Sequence, residues 1–175
     1  MYDTYKDKVY NTVISYVQNT EDAEEVTQDV FITVYQKIDG FKTESKLSTW
    51  IYRIAVNASL NRLKKKQRKS FLNLTNISHQ IPHFEHPGII AENKENASTL
   101  FKAIYQLPET QKTAFILSYI EELPRQEVAD IMGNSLKSIE SLLQRGKQNL
   151  RKLLKSYIET EGNEDISLSN LKRKK

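Results

Sequence analysis

Apolar residues recur at helical spacing along most of this chain. Tyr2, Tyr5, Val9, Val13 and Tyr16 fall on one face of a first helix, each three or four residues from the last. A second helix is predicted after Asn19 and Thr20, with Val26, Val30, Val34 and Ile38 as its stripe and Glu21, Asp22, Glu24 and Glu25 near the positive end of its dipole. Asp39-Gly40 stops it. The loop from Phe41 to Ser48 leads into a third helix, whose stripe is Leu47, Ile51, Ile54, Ala55 and Ala58 and which is expected to fray near Ser70. From Phe71 to about Glu95 the periodicity fails and Pro82, Pro87 and Gly88 punctuate a polar stretch too long for an ordinary loop within a domain. The pattern resumes at Leu100, Ile104 and Leu107. Pro108 then opens a helix at a tolerated first-turn position, with Phe115, Tyr119 and Leu123 expected inside. Pro124 begins a short helix through Val128, Ala129 and Met132, Gly133-Asn134-Ser135 makes a turn, and a last long helix places Leu136, Ile139, Leu143, Leu150 and Leu153 inward. The fold class that follows is all-α, two small helical domains joined by a flexible linker. Their expected limits are residues 1–69 and 97–155, with the linker at 70–96 and a polar tail at 156–175.

Charge adds a second layer to this pattern. The 175 residues carry 26 Lys and Arg against 22 Asp and Glu, an unremarkable net +4 until it is mapped. Residues 51–70 hold seven basic side chains and no acid, and residues 136–155 hold six and one, whereas residues 1–50 hold nine acids against five bases. Two concentrated positive surfaces suit one long polyanion touched at two places, leaving the acidic face to a different, basic partner. On the third helix Trp50, Arg53, Asn57, Asn61 and Lys64 line up along the flank of the apolar stripe, with Arg62 close by. An indole stacks on an unpaired base, amides bond base edges and cations hold phosphates, so this flank fits a nucleic-acid face, single strands as much as duplex. Trp50 alone fits an ordinary core position equally well; the acid-free run around it favours the nucleic-acid face. The two short helices around the Gly133 turn form a helix-turn-helix pattern, with Ala129 small enough for close approach. A plain helical hairpin would show the same turn. Here, however, the second helix also carries Lys137, Arg145, Lys147, Arg151, Lys152 and Lys155, which points to DNA.

Other chemistry is thinly represented. The chain has no cysteine, which excludes disulfides and thiolate metal sites and fits a reducing cytoplasm. No apolar run approaches the roughly 20 residues of a membrane helix, and the N-terminus lacks the apolar core of a signal peptide. An intracellular, soluble protein without membrane insertion is expected. His79, His83 and His86 have i, i+4, i+7 spacing, but Pro82 and Pro87 break the helix that would align them as metal ligands. Asp22, Glu24, Glu25 and Asp29 resemble magnesium ligands only in type, since carboxylates in and after a helix's first turn are more often solvated or partner-binding. With no phosphate-cradling glycine loop, zinc spacing or nucleophile motif, neither catalysis nor a cofactor is expected.

The runs DAEEVTQDVFITVYQKIDGF, STWIYRIAVNASLNRLKKKQRK and LPETQKTAFILSYIEELPRQEVADIMGNSLKSIESLLQRGKQNLRKLL together resemble the extracytoplasmic-function (ECF) sigma factors of the bacterial sigma-70 family. The resemblance covers residues 2–69 as region 2 and about 97–155 as region 4. It implies a transcription initiation factor that joins core RNA polymerase, reads the −35 element with region 4, and reads and melts the −10 element with region 2. By this resemblance Glu25, Gln28 and Asp29, with Phe31 and Tyr35 nearby, dock on the coiled coil of the polymerase β′ clamp, and region 4 meets the β flap. The loop holding Lys42, Thr43, Glu44, Ser45 and Lys46 captures a flipped −10 base, while Trp50, Tyr52, Arg53, Asn57 and Asn61, with Arg62 and Lys64, lie beside the melted strand. An extruded base needs such a pocket, and its unstacking, a few kcal/mol, can be offset by stacking and phosphate contacts. In region 4 the matching major-groove positions are Lys137, Ser138, Glu140, Ser141, Gln144 and Arg145, and Lys147, Gln148 and Arg151 continue the same exposed face. An anti-sigma factor, often membrane-anchored in this family, is a further implied partner.

Two departures stand out. Glu140 is acidic where relatives often have a basic or neutral residue, and the family has another helix before the one opening near Tyr2, so the chain is expected to be either naturally short there or without its first segment. Two other classes of function compete with this reading. A stand-alone helix-turn-helix regulator would use the second basic block but leave Trp50, Arg53, Asn57 and Asn61 without a purpose. A nucleic-acid-processing enzyme lacks the motifs named above.

Overall fold

The computed structural model describes residues 1–41, 46–72 and 94–161, all of them helix, turn or short connection. Lys42, Thr43, Glu44 and Ser45, expected to capture a flipped base, the three histidines, most of the 70–96 linker and residues 162–175 lie outside the described residues.

Helix α1 (Tyr2–Val17) buries Val9, Val13, Ile14, Tyr16 and Val17 and ends at Gln18, whose left-handed backbone (φ 51°) lets its N–H reach the Ile14 carbonyl at 3.0 Å. Helix α2 (Thr20–Lys37) starts where the composition demands. Asn19 is extended, its Oδ1 accepts from the Asp22 N–H at 2.8 Å, and Glu21 and Asp22 occupy the first turn. Ala23, Val26, Thr27, Val30 and Val34 are its buried face, and a tight turn at Ile38–Gly40 closes it. Helix α3 (Leu47–Leu72) packs on both α1 and α2, completing a three-helix body.

The second body holds α4 (Lys94–Tyr105), α5 (Glu109–Phe115), α6 (Arg125–Met132) and α7 (Leu136–Glu161). Pro108 and Pro124 each stand immediately before a helix, where a missing N–H costs nothing. Past Phe115 the chain widens into a π turn, Ile116–Ile120, with the Glu121 N–H bonded to the Ile116 carbonyl at 3.0 Å. That widening turns Tyr119 and Leu123 partly outward, so of the three residues expected inside, only Phe115 is fully buried. Gly133 adopts φ 65° after α6. Its N–H and that of Asn134 satisfy the Asp130 and Ala129 carbonyls, an arrangement that leaves the helix end capped and the chain free to turn into α7.

The two bodies touch. Helix α3 lies against α6, and α1 lies against the π turn. Contact on this second side explains why the buried stripe of α3 is broader than the periodicity suggests. Ile51, Tyr52, Ala55, Val56 and Ser59 are buried, while Leu47, Ile54 and Ala58 are only half-buried. Leu136, expected inside, is 41% exposed, because it opens α7 beyond the turn and Ile139, Leu142 and Leu143 fill the core instead. Among the described residues no helix is long and apolar enough to cross a membrane, and no group of three or more potential metal-ligating side chains comes together.

Candidate nucleic-acid interface

Three faces emerge from these helices. The first is the outer side of α2, where Glu25, Gln28 and Asp29 are exposed beside an apolar patch. Tyr35 is 80% and Ile32 54% exposed, and the half-buried Phe31 meets the ring of Tyr2 edge-on at 4.7 Å. Large exposed apolar side chains next to carboxylates are the chemistry that suits a protein partner. The periodicity did not single out Ile32, and it put Tyr2 on the apolar stripe of α1, where Tyr2 is instead 56% exposed at the end of the helix. The available signal was that Ile32 and Tyr35 are apolar at positions off the Val26, Val30 and Val34 stripe.

Glu25 is not a free carboxylate. Arg62, reaching from α3, donates to Glu25 at 2.6 and 2.9 Å and to Asp22 at 2.6 and 3.1 Å, and Lys66 reaches Asp22 at 3.0 Å. Partial burial pushes the Asp22 carboxyl up, but its bonds from Arg62 and Lys66 outweigh this and hold it below the usual carboxylate range. Asp22 is therefore a charged anchor between α2 and α3. The guanidinium of Arg62 is committed to α2, not to the Trp50, Asn57 and Asn61 flank of its own helix.

The second face is that flank. Asn57 and Asn61 are exposed, and Trp50 is half-buried with its ring 5.1 Å from that of Phe41. Lys46, described as exposed, stands at the helix entry. Three other residues assigned to the flank meet the second body. Tyr52 is buried, and its hydroxyl donates to Glu121 at 3.5 Å; burial, with Glu121 beside it, pushes that hydroxyl above its ordinary range. Arg53 donates through Nε to the Ile131 carbonyl at 3.3 Å and through Nη2 to the Asp130 carbonyl, placing a cation on the negative end of α6. Lys64 pairs with Glu109 at 3.3 Å, and nearby Ser48 donates to Glu127 at 3.2 Å.

The third face belongs to α7. The Ser138 N–H bonds the Ser135 hydroxyl at 3.2 Å, capping the helix where it would enter a groove. Lys137, Glu140, Ser141, Gln144, Arg145, Gln148 and Arg151 are all exposed, and Ser138 is half-exposed. Glu140 lies 3.8 Å from Arg125 at the start of α6, and Arg145 bonds the Ser141 carbonyl at 3.3 Å. Lys147 is half-buried, its ammonium 4.9 Å above the ring of Tyr119. Gln111 and Asn149, bonded at 2.9 Å, tie α7 to α5 behind this face.

A helix-turn-helix presenting polar and basic residues, beside a three-helix body with a basic third helix, coincides with two family models. Residues 1–69 match sigma-70 region 2 and residues 99–150 match sigma-70 region 4. The chain is also 32% identical over 161 residues to the ECF RNA polymerase sigma factor SigW of Bacillus subtilis (strain 168), covering 87% of this chain and 86% of that one. This chain belongs to the ECF sigma factors of the sigma-70 family. The ECF RNA polymerase sigma-E factor of Escherichia coli (strain K12) is 31% identical over 82% of this chain and 79% of its own length. Among solved structures, the sigma factor RpoE from Bartonella quintana, in complex with the anti-sigma factor NepR, shares the fold with a TM-score of 0.69 and 23% identity, covering 88% of this chain and 94% of that one. CnrH, solved with the cytosolic domain of CnrY, matches with a TM-score of 0.63 and 17% identity over 89% of this chain and 85% of its own. As an ECF sigma factor, the chain directs RNA polymerase in promoter recognition and is a specificity subunit, not an enzyme.

Proposed function

We propose that the three faces divide the work of promoter recognition. Region 2 (residues 1–69) docks on the β′ clamp coiled coil of core polymerase through Gln28, Asp29, Ile32 and Tyr35 of α2, with Glu25 and Phe31 at the margin. Its α3 flank, Trp50, Arg53, Asn57 and Asn61 foremost, takes the unpaired −10 strand. Region 4 (residues 97–155) lays the start of α7 in the major groove of the −35 element and contacts the polymerase β flap. The observation that supports this division most is the segregation of charge and exposure. α2 presents exposed carboxylates beside exposed Ile32 and Tyr35, whereas the acid-free run of α3 and the polar face of α7 present bases and amides. The likeness to sigma factors solved with anti-sigma partners supports an anti-sigma factor for this chain too, and a cytoplasmic site of action follows from the work of RNA polymerase.

Within α7 the exposed residues do different things. Glu140 can accept from cytosine N4, and Arg145 can reach guanine or a phosphate, each good base contact discriminating by about 1–3 kcal/mol. Glu140→Ala is expected to relax preference at one −35 base pair with little loss on non-specific DNA, because removing an acid also removes phosphate repulsion. Arg151→Ala is expected to weaken all sequences alike and to flatten the salt dependence. Holoenzyme binding across single-base −35 variants checks both. The assignment fails if Glu140→Ala leaves every preference unchanged while Arg151→Ala alters one.

A further inference from the structure

The seam between the two bodies occupies residues that the −10 reading needs. Tyr52 is buried in it, and Arg53 spends its guanidinium on the last carbonyls of α6. A strand of DNA and the second body therefore compete for the same side chains. The buried apolar residues of the two bodies join in one cluster, but polar pairs also cross the seam, with Ser48 on Glu127, Lys64 on Glu109 and Tyr52 on Glu121. Polar contacts of this kind exchange readily for water, which favours opening at these points.

Glu121 holds its centre. It follows the π turn and precedes Glu122, whose backbone is left-handed (φ 53°), and this tight reversal aims the Glu121 carboxyl at region 2 instead of solvent. There it meets the Tyr52 hydroxyl of α3 and, on α1, the Thr12 hydroxyl, with the Lys8 ammonium acting on it from farther off. Tyr16 of α1 also lies in the seam, and burial pushes its hydroxyl up with Glu121 and Glu109 adding to the effect. Tyr5 of α1 and Glu127 of α6 act on Tyr52 from either side. Among the described residues Lys8 is the cation acting on this carboxyl from across the seam, and the phenols around it are neutral at physiological pH.

We propose that Glu121 is a proton-controlled latch between regions 2 and 4, closing region 4 over the −10 flank of α3 when its carboxyl is protonated and releasing Tyr52 and Arg53 when it ionises. The value of such a latch depends on the −10 assignment made above, but its existence does not.

The direction follows from the chemistry of the pocket. Burial raises the Glu121 carboxyl to about 7 in the closed form, against the partial opposition of Thr12, Tyr52 and Lys8. In an open form the carboxyl is solvated and returns toward its ordinary value of 4.5. A raised acid favours the state that buries it at low pH, and that advantage is lost as pH rises through the raised value. The closure constant is expected to fall about tenfold between pH 6 and pH 8.

The chain has no cysteine, so Gln36→Cys on α2 and Lys152→Cys on α7, both exposed positions, accept a fluorophore pair for energy transfer without competing thiols. In the free full-length protein the separation should widen from pH 6 to pH 8. The same labelled protein with Glu121→Gln, which mimics the protonated acid, should stay closed at both. Circular dichroism on each variant establishes that the helices are intact. A pH-independent separation in the otherwise unaltered protein overturns the latch, as does an identical response in Glu121→Gln, which would trace the effect to other groups such as the histidines. A separation that responds as expected while binding of a single-stranded −10 oligonucleotide ignores pH supports the latch and counts against the −10 assignment instead.

Discussion

Asp29→Lys is expected to weaken binding to core RNA polymerase about 30-fold while leaving the thermal unfolding of the free protein unchanged. Asp29 is exposed, on the outer face of α2, one turn from Ile32 and two from Tyr35. Reversing a charge opposite a basic partner costs both the attraction lost and the repulsion gained, about 2 kcal/mol or more at a close pair. Tyr35→Ala should produce a loss of similar order, because an aromatic ring exposed to four-fifths of its surface has little packing to lose in the free protein and an anchor to lose in the complex. Glu25 gives a less clean test. Its pairing with Arg62 means that reversal would also disturb the contact between α2 and α3. Titration of labelled protein with core polymerase measures the effect, and unchanged affinity in both variants would remove α2 as the docking face.

Asn57→Ala is expected to lower holoenzyme affinity for single-stranded non-template −10 DNA about tenfold, with a smaller effect on scrambled single strand. Its amide is exposed on the flank of α3, one turn beyond Arg53, and neither Asn57 nor Asn61 is buried in the seam with the second body. A base-edge contact of about 1–3 kcal/mol supports a loss of that size. Trp50→Ala should cost more, since base stacking on an aromatic is worth about 1–3 kcal/mol by such substitution and the Phe41 ring would lose its neighbour as well. For that reason the Trp50 variant is interpretable only beside its unfolding curve. Equal losses on specific and scrambled strands would reduce the flank to a phosphate anchor.

The all-helical fold was legible in the sequence because its signals are local. Asn19 as a cap, Pro108 and Pro124 before helices and Gly133 in a left-handed turn act within a few residues of where they stand. The polar face of α7 was legible for the same reason, since a helix with one core side exposes the other. What the periodicity missed depends on long-range packing. Helix α3 is covered from two directions, so a single stripe could not identify Tyr52 as buried or Arg53 as a cap on α6. The commitment of Arg62 to Asp22 and Glu25 spans about forty residues of sequence, beyond any local pattern. The π turn likewise has no simple sequence mark, yet it leaves Tyr119 and Leu123 at the edge of the core and aims Glu121 across the seam. Ile32 was readable and overlooked, an apolar residue off the stripe of an otherwise acidic face.

The chain is proposed to give core polymerase its choice of promoter through two separate contacts. In vitro transcription with core polymerase and the purified protein on a randomised promoter library tests it most directly. Transcripts are expected only when the protein is added, from templates sharing a −35 and a −10 element at fixed spacing, with permanganate-reactive thymines marking a melted −10 region. This role would be contradicted if the protein bound a single duplex element equally well without polymerase and left both the amount and the start sites of transcription unchanged.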